Sequence, residues 1–121
     1  MLKKYNQNGT SVAVVTEPTT IPVIDTVQSA LDLLMDARYN LGTDNIAIDK
    51  RYVTESFFIL SSGLAGEILQ KFINYSGRIA FYGDFSVYTS KPLKDFVRES
   101  NKGKDVFFVA TLEEAIDKLT L

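Results

Sequence analysis

The sequence contains no cysteine and no histidine. Without cysteine there is no disulfide framework, no thiol nucleophile and no thiolate metal site. Without histidine the commonest general base and the commonest transition-metal ligand are both missing. Only carboxylates remain to hold a hard ion such as Mg²⁺, and neither a metal nor a cofactor is expected. Charge of one sign is also scarce. Thirteen Lys and Arg stand against fifteen Asp and Glu, for a net charge of −2. A chain so balanced is a poor general binder of nucleic acid, because phosphate binding runs on Lys and Arg. Long hydrophobic runs are missing too. No stretch approaches the ~18 apolar residues that a membrane span needs. Lys3 and Lys4 resemble the opening of a signal peptide, but Asn6, Gln7, Asn8, Gly9 and Thr10 follow where an apolar segment would have to stand. No secretion signal is expected, and the absence of cysteine fits the cytoplasm.

What is present suits one globular domain over residues 1–121. Hydrophobic residues make up 45% of the chain, enough for a core that needs no metal or disulfide to hold it. Lys3 to Asn6 reads as an edge strand, Asn8-Gly9 as a hairpin turn and Ser11 to Thr16 as its partner strand. Pro18 and Pro22 bar a central strand in the connector that follows. Asp25, with Gln28 in capping-box spacing, predicts the start of a helix that carries Val27, Ala30, Leu31, Leu34, Ala37 and Leu41 and stops at Gly42.

Asn45 to Ile48 is a short, nearly all-apolar run, as expected of a strand covered on both faces. Thr54 is placed to cap a short turn holding Phe57 and Phe58. Leu64, Ala65, Ile68, Leu69, Phe72 and Ile73 then form a helical stripe, closed by Gly77. Arg78 to Tyr82 and Val106 to Ala110 are further strands. Between them Pro92 suits a first helical turn, Leu93, Phe96 and Val97 face inward, and Gly103 ends the helix. Thr111 with Glu114 predicts the cap of a last helix through Leu119. The order is therefore β-β-α-β-α-β-α-β-α. This is an α/β arrangement with a mixed sheet of four or five strands and four helices.

Ser61-Ser62-Gly63-Leu64 in front of a helix resembles the Asp-Ser-Ser-Gly turn of the STAS domain, the fold of anti-sigma-factor antagonists. Gly77 to Phe81 and Leu112 to Leu119 are similar to the next strand and the closing helix of that fold, so the resemblance runs from about Asn45 to Leu121. It implies that a strand runs directly into the serine turn. It also implies that Ser61 corresponds to the serine phosphorylated in antagonists, although Leu60 stands where the aspartate would be. The longer strings "GLAGEILQKFINY" and "GDFSVYTSKPLKDFVRESNKGKDVFF" resemble the signatures of a small bacterial family catalogued as domain of unknown function 4180. That resemblance covers nearly the whole chain. It implies a STAS-like fold and a cytoplasmic bacterial or phage setting, with no established activity.

Two groups of residues are candidates for function. A phosphate on Ser61 would sit at a helix N-terminus, where free N–H groups and the dipole favour negative charge. The plainer account has Ser61 or Ser62 simply capping the helix, for about 1 kcal/mol. The second group is a rim beyond the carboxyl ends of the strands, where open α/β sheets bind ligands. It comprises Asp49, Gly83, Asp84, Ser86, Tyr88, Ser90 and Lys91. The competing account makes Asp84, Ser86 and Ser90 local caps, with Phe85 and Tyr88 covering the core.

Three functions follow from these groups. A non-catalytic regulatory module would present the serine turn and the 84–91 loop to a protein partner. A small-molecule or anion binder would use the same rim for a nucleotide or a phosphorylated metabolite. An enzyme would have to rest on Asp49 with Asp84, or on Ser90 with Lys91, and adjacent residues rarely aim at one atom. The expectation is a protein-binding module and not an enzyme. The open edge of the first hairpin also allows a homodimer.

Overall fold

The computed structural model describes residues 1–121. Strands β1 (Leu2–Gln7) and β2 (Thr10–Val15) form an antiparallel hairpin. Asn8 and Gly9 both take positive φ, at 53° and 77°, as the two-residue turn of a twisted hairpin requires. Strands β3 (Asn45–Asp49), β4 (Arg78–Tyr82) and β5 (Val106–Val109) then add one after another, all parallel to β2. The result is one mixed five-stranded sheet in the order β1-β2-β3-β4-β5.

Four helices complete the expected α/β arrangement: α1 (Val27–Asp36), α2 (Leu64–Asn74), α3 (Lys91–Lys102) and α4 (Leu112–Leu119). A π-helical turn, Ala37–Leu41, extends α1, and Gly42 stops it at φ 66°. Glycine takes that left-handed conformation without a Cβ clash.

The two faces of the sheet are unlike. Side chains alternate along each strand. Ala13, Val15, Ile46, Ile48, Ile79, Phe81, Val106 and Phe108 point to a large core that α1, α2 and α3 cover. Val12, Val14, Ala47, Ala80 and Phe107 point the other way, where Ala115 and Leu119 of α4 lie on them. Ala47, Ala80 and Ala115 are fully buried. Three small side chains in one layer let α4 approach the sheet closely.

Arg78 fastens that helix. Its Nη1 donates to the carbonyl of Leu119 at 2.9 Å and its Nε to the carbonyl of Lys104 at 2.8 Å. The guanidinium also lies over the Phe107 ring. At the β5 edge, Asn101 of α3 stands in for a missing strand. Its Nδ2 donates to the Phe108 carbonyl at 3.0 Å, and its Oδ1 accepts from the Phe108 N–H at 2.7 Å. That side chain occupies both outward backbone groups of Phe108 on this border of the sheet.

Several local expectations are corrected. The first helix is capped by Thr26 with Ser29, which exchange side-chain and backbone hydrogen bonds, and not by Asp25 with Gln28. Thr111 does cap α4 through the Glu114 N–H, but the Glu114 carboxylate reaches the Ala110 N–H. Thr54 precedes its turn without a side-chain cap. The strand-to-serine junction implied by the STAS resemblance is also not direct. Three short 3₁₀ turns, Lys50–Tyr52, Glu55–Phe58 and Leu60–Ser62, separate β3 from α2.

A file of aromatic rings joins the core to the carboxyl end of the sheet. Phe81 has Phe57 on one side and Phe108 on the other, with ring centres 5.0 Å away in each case. Phe57 meets Phe58 edge-on at 5.1 Å, and Phe58 stacks on Tyr88 at 5.0 Å. This packing fixes where the residues of the candidate site stand.

Candidate functional site

Parallel strands β3 and β4 bring Asp49 and Tyr82 side by side at their carboxyl ends, and Asp84 follows two residues on. The two carboxylates do not form a pair. Asp49 accepts from the Arg51 N–H at 3.0 Å and from the Arg51 guanidinium at 3.0 Å. Asp84 accepts from the hydroxyl and the N–H of Ser86. These two bonds, the hydroxyl foremost, hold the Asp84 carboxyl below its ordinary range, with Lys50 adding a smaller pull in the same direction. Each acid thus closes a local turn, which is what the plainer account expected of Asp84.

Ser61 and Ser62 divide their roles. The Ser62 hydroxyl donates to the Ser56 carbonyl at 2.7 Å and accepts from the Leu64 N–H at 3.2 Å. The N-cap position of α2 itself is Gly63. Ser62 is therefore bound into the turn. Ser61 is exposed and lines a cleft.

The cleft, about 470 Å³ in volume, runs between the 55–61 turns and the 87–93 segment, which enters the first turn of α3. Phe58, Ile59, Leu60 and Ser61 line it from the first segment, and Val87, Tyr88, Thr89, Ser90, Pro92 and Leu93 from the second. Ile59 is 56% exposed and Val87 60%, so large apolar side chains meet solvent in both segments. Glu55 is the sole charged side chain of the lining.

The members of the expected rim separate accordingly. Tyr88 and Ser90 share the cleft with Ser61. The Ser90 hydroxyl also faces the Leu93 N–H at 3.5 Å, as the cap of α3. Gly83, Asp84 and Ser86 line a neighbouring hollow against α3 and β5, with Asn101, Phe108 and Glu114. Asp49 joins neither. Lys91 is turned to its own helix, where it pairs with Asp95 at 2.7 Å, and Arg98 pairs with the same carboxylate. Lys102 pairs with Glu99. These ion pairs lie on the solvated face of α3, as their spacing predicts.

Two residues of the site carried no functional signal in the sequence. Lys50 opens the turn that follows β3. Its side chain lies along Gly83, and its ammonium sits 4.6 Å from the centre of the Tyr88 ring. Gly83 takes φ 142°, and a Cβ there would meet the Lys50 Cγ at 2.8 Å, so the loop and the lysine fit only around glycine. The other residue is Glu55, whose carboxylate accepts from the Tyr88 hydroxyl at 3.4 Å.

Burial, then the charge of Glu55 and its hydrogen bond, push the Tyr88 phenol up to about 12. A phenol normally ionises near pH 10. The folded state thus holds its Tyr88 proton above the pH at which the unfolded chain loses it. The stabilisation is complete below about pH 10 and is lost as pH rises towards about 12. An ultraviolet phenolate titration should show the last tyrosine step near that value, and Tyr88→Phe should remove it.

No group of three or more acidic side chains gathers to hold a metal ion. The cleft offers apolar walls, the hydroxyls of Ser61 and Thr89, and one carboxylate. No helix is long and apolar enough to cross a membrane. Over residues 7–119 the chain matches the family described as Domain of unknown function (DUF4180). No curated protein and no solved structure matches it.

Proposed function

The chain belongs to the DUF4180 family, and from that premise we propose that it is a non-catalytic regulatory module that binds a protein partner. The setting is the bacterial or phage cytoplasm. The observation that carries this reading is the cleft itself: exposed Ile59 and Val87 in its two segments, with Glu55 as its only charged lining residue. Such a cleft suits an aliphatic side chain of the partner with a Lys or Arg beside it, since apolar contact supplies affinity and the carboxylate supplies orientation. The STAS resemblance points to the same class of function. A phosphate on Ser61 would add about two negative charges inside the cleft and change which partner fits it.

Selection of short random peptides on the immobilised protein tests this. The enriched peptides are expected to share an aliphatic residue next to Lys or Arg. Ile59→Asp should abolish the enrichment, and Glu55→Lys should switch the flanking residue from basic to acidic. Peptides with no common pattern, or a pattern that Ile59→Asp leaves unchanged, would refute the proposal.

A further inference from the structure

A further recess, apart from the cleft, lies mainly on the α4 face of the sheet and reaches its carboxyl border at Val15 and Tyr52. Helix α4 spans only eight residues and lies mainly over β3, β4 and β5. Towards the hairpin edge the sheet is left with a hollow of about 440 Å³. Tyr5, Tyr52 and Tyr82 line it, together with Val14 and the charged Lys3 and Arg51. All three tyrosines are partly exposed. They come from β1, from the turn after β3 and from the end of β4, so the fold and not the local sequence assembles them.

The cations are arranged with the rings. The Lys3 ammonium lies 5.4 Å from the centre of the Tyr5 ring, and the Arg51 guanidinium 5.1 Å from that of Tyr52. Arg51 spends its Nε on Asp49, yet its side chain stays 72% exposed, which leaves its outer nitrogens to solvent. Glu17 is the one carboxylate of the lining. The Tyr82 hydroxyl is protonated at neutral pH like any phenol, and burial, followed by the neighbouring Asp49 charge, raises its pKa further. Aromatic faces stack on planar rings and tolerate many of them, while Lys and Arg bind an attached anion. The recess also opens at the carboxyl end of the parallel strands, where sheets of this kind take ligands.

We propose that this three-tyrosine recess binds a small planar aromatic ring that carries an anionic group, with a nucleoside monophosphate as the representative ligand. The inference is independent of the protein-binding cleft, since the two share no lining residue.

Titration calorimetry on the whole chain tests it with four probes: AMP, UMP, uncharged adenosine and inorganic phosphate. Both nucleotides should bind, and each should bind more tightly than adenosine or phosphate. Tyr52→Ala should weaken AMP by about tenfold or more, the usual worth of one stacked base, and Tyr52→Phe should retain binding. Lys3→Glu should weaken AMP and leave adenosine unchanged. Ile59→Asp, in the cleft, should leave AMP binding intact while it abolishes peptide selection, which separates failure of one site from failure of the other. AMP that does not bind at millimolar concentration would overturn the assignment. So would AMP affinity unmoved by both Tyr52→Ala and Lys3→Glu, or phosphate that binds as well as AMP.

Discussion

Phe81→Ala is expected to lower the free energy of unfolding by about 3–5 kcal/mol, the usual cost of deleting a buried phenyl ring. Phe81 is wholly buried near the carboxyl end of β4, between the rings of Phe57 and Phe108. Its removal costs the transfer energy of the ring and leaves a cavity between two aromatic walls. The walls cannot close easily, because Phe57 belongs to a tight turn and Phe108 is tied to Asn101. Domains of this size have only about 5–15 kcal/mol in hand, so the variant should populate unfolded chain under mild denaturant. Urea titration followed by far-ultraviolet circular dichroism checks it. A loss under about 1 kcal/mol would mean that the site collapses freely, contrary to the packing described.

Arg78→Ala is the second large effect, expected at about 2–3 kcal/mol. Hydrogen bonds from a charged donor are each worth roughly 1.5–3 kcal/mol, and Arg78 makes two to the carbonyls of Lys104 and Leu119. They are partly exposed, so their sum overstates the loss. The effect should fall unevenly. Leu119 ends α4, and the same guanidinium covers the Phe107 ring under that helix. Amide hydrogen exchange should therefore accelerate first in α4 and least in α1 and α2. Arg78→Lys should recover only part of the stability, since one ammonium cannot replace a planar fork that reaches two carbonyls. Uniform acceleration across all four helices would show that Arg78 supports the fold generally and not α4 in particular.

The succession of strands and helices was legible in the sequence because the signals are local. Asn8-Gly9 dictates its turn by positive φ, and the stripe from Leu64 to Phe72 buries itself at helical period. The start of the first helix was misread by one residue for a local reason as well. Asp25 and Thr26 are both good caps, and Ser29 takes the reciprocal role usually left to Glu or Gln. The face on which the last helix packs was not legible at all. Right-handed crossover fixes the side of a helix only when a parallel strand follows it, and nothing follows α4.

The site was legible in part for similar reasons. Strand ends and loop composition pointed to the carboxyl border, and Ser61, Tyr88 and Ser90 do meet there. That Asp49 and Asp84 are each spent on neighbours two residues away depends on turn geometry, which residue types leave open. Lys50 and Glu55 take their places only through contacts with Gly83 and Tyr88, more than thirty residues along the chain.

The Asn101 clamp has a consequence for growth into larger bodies. A sheet with two open borders can accept a neighbour on each side and extend without limit. Here the Asn101 amide already occupies both backbone groups of Phe108 on the β5 edge, whereas no side chain is bonded in this way along the outer side of Leu2–Gln7. A copy that paired its backbone on the β5 side would first have to displace that amide, and one that paired on the Leu2–Gln7 side would displace nothing.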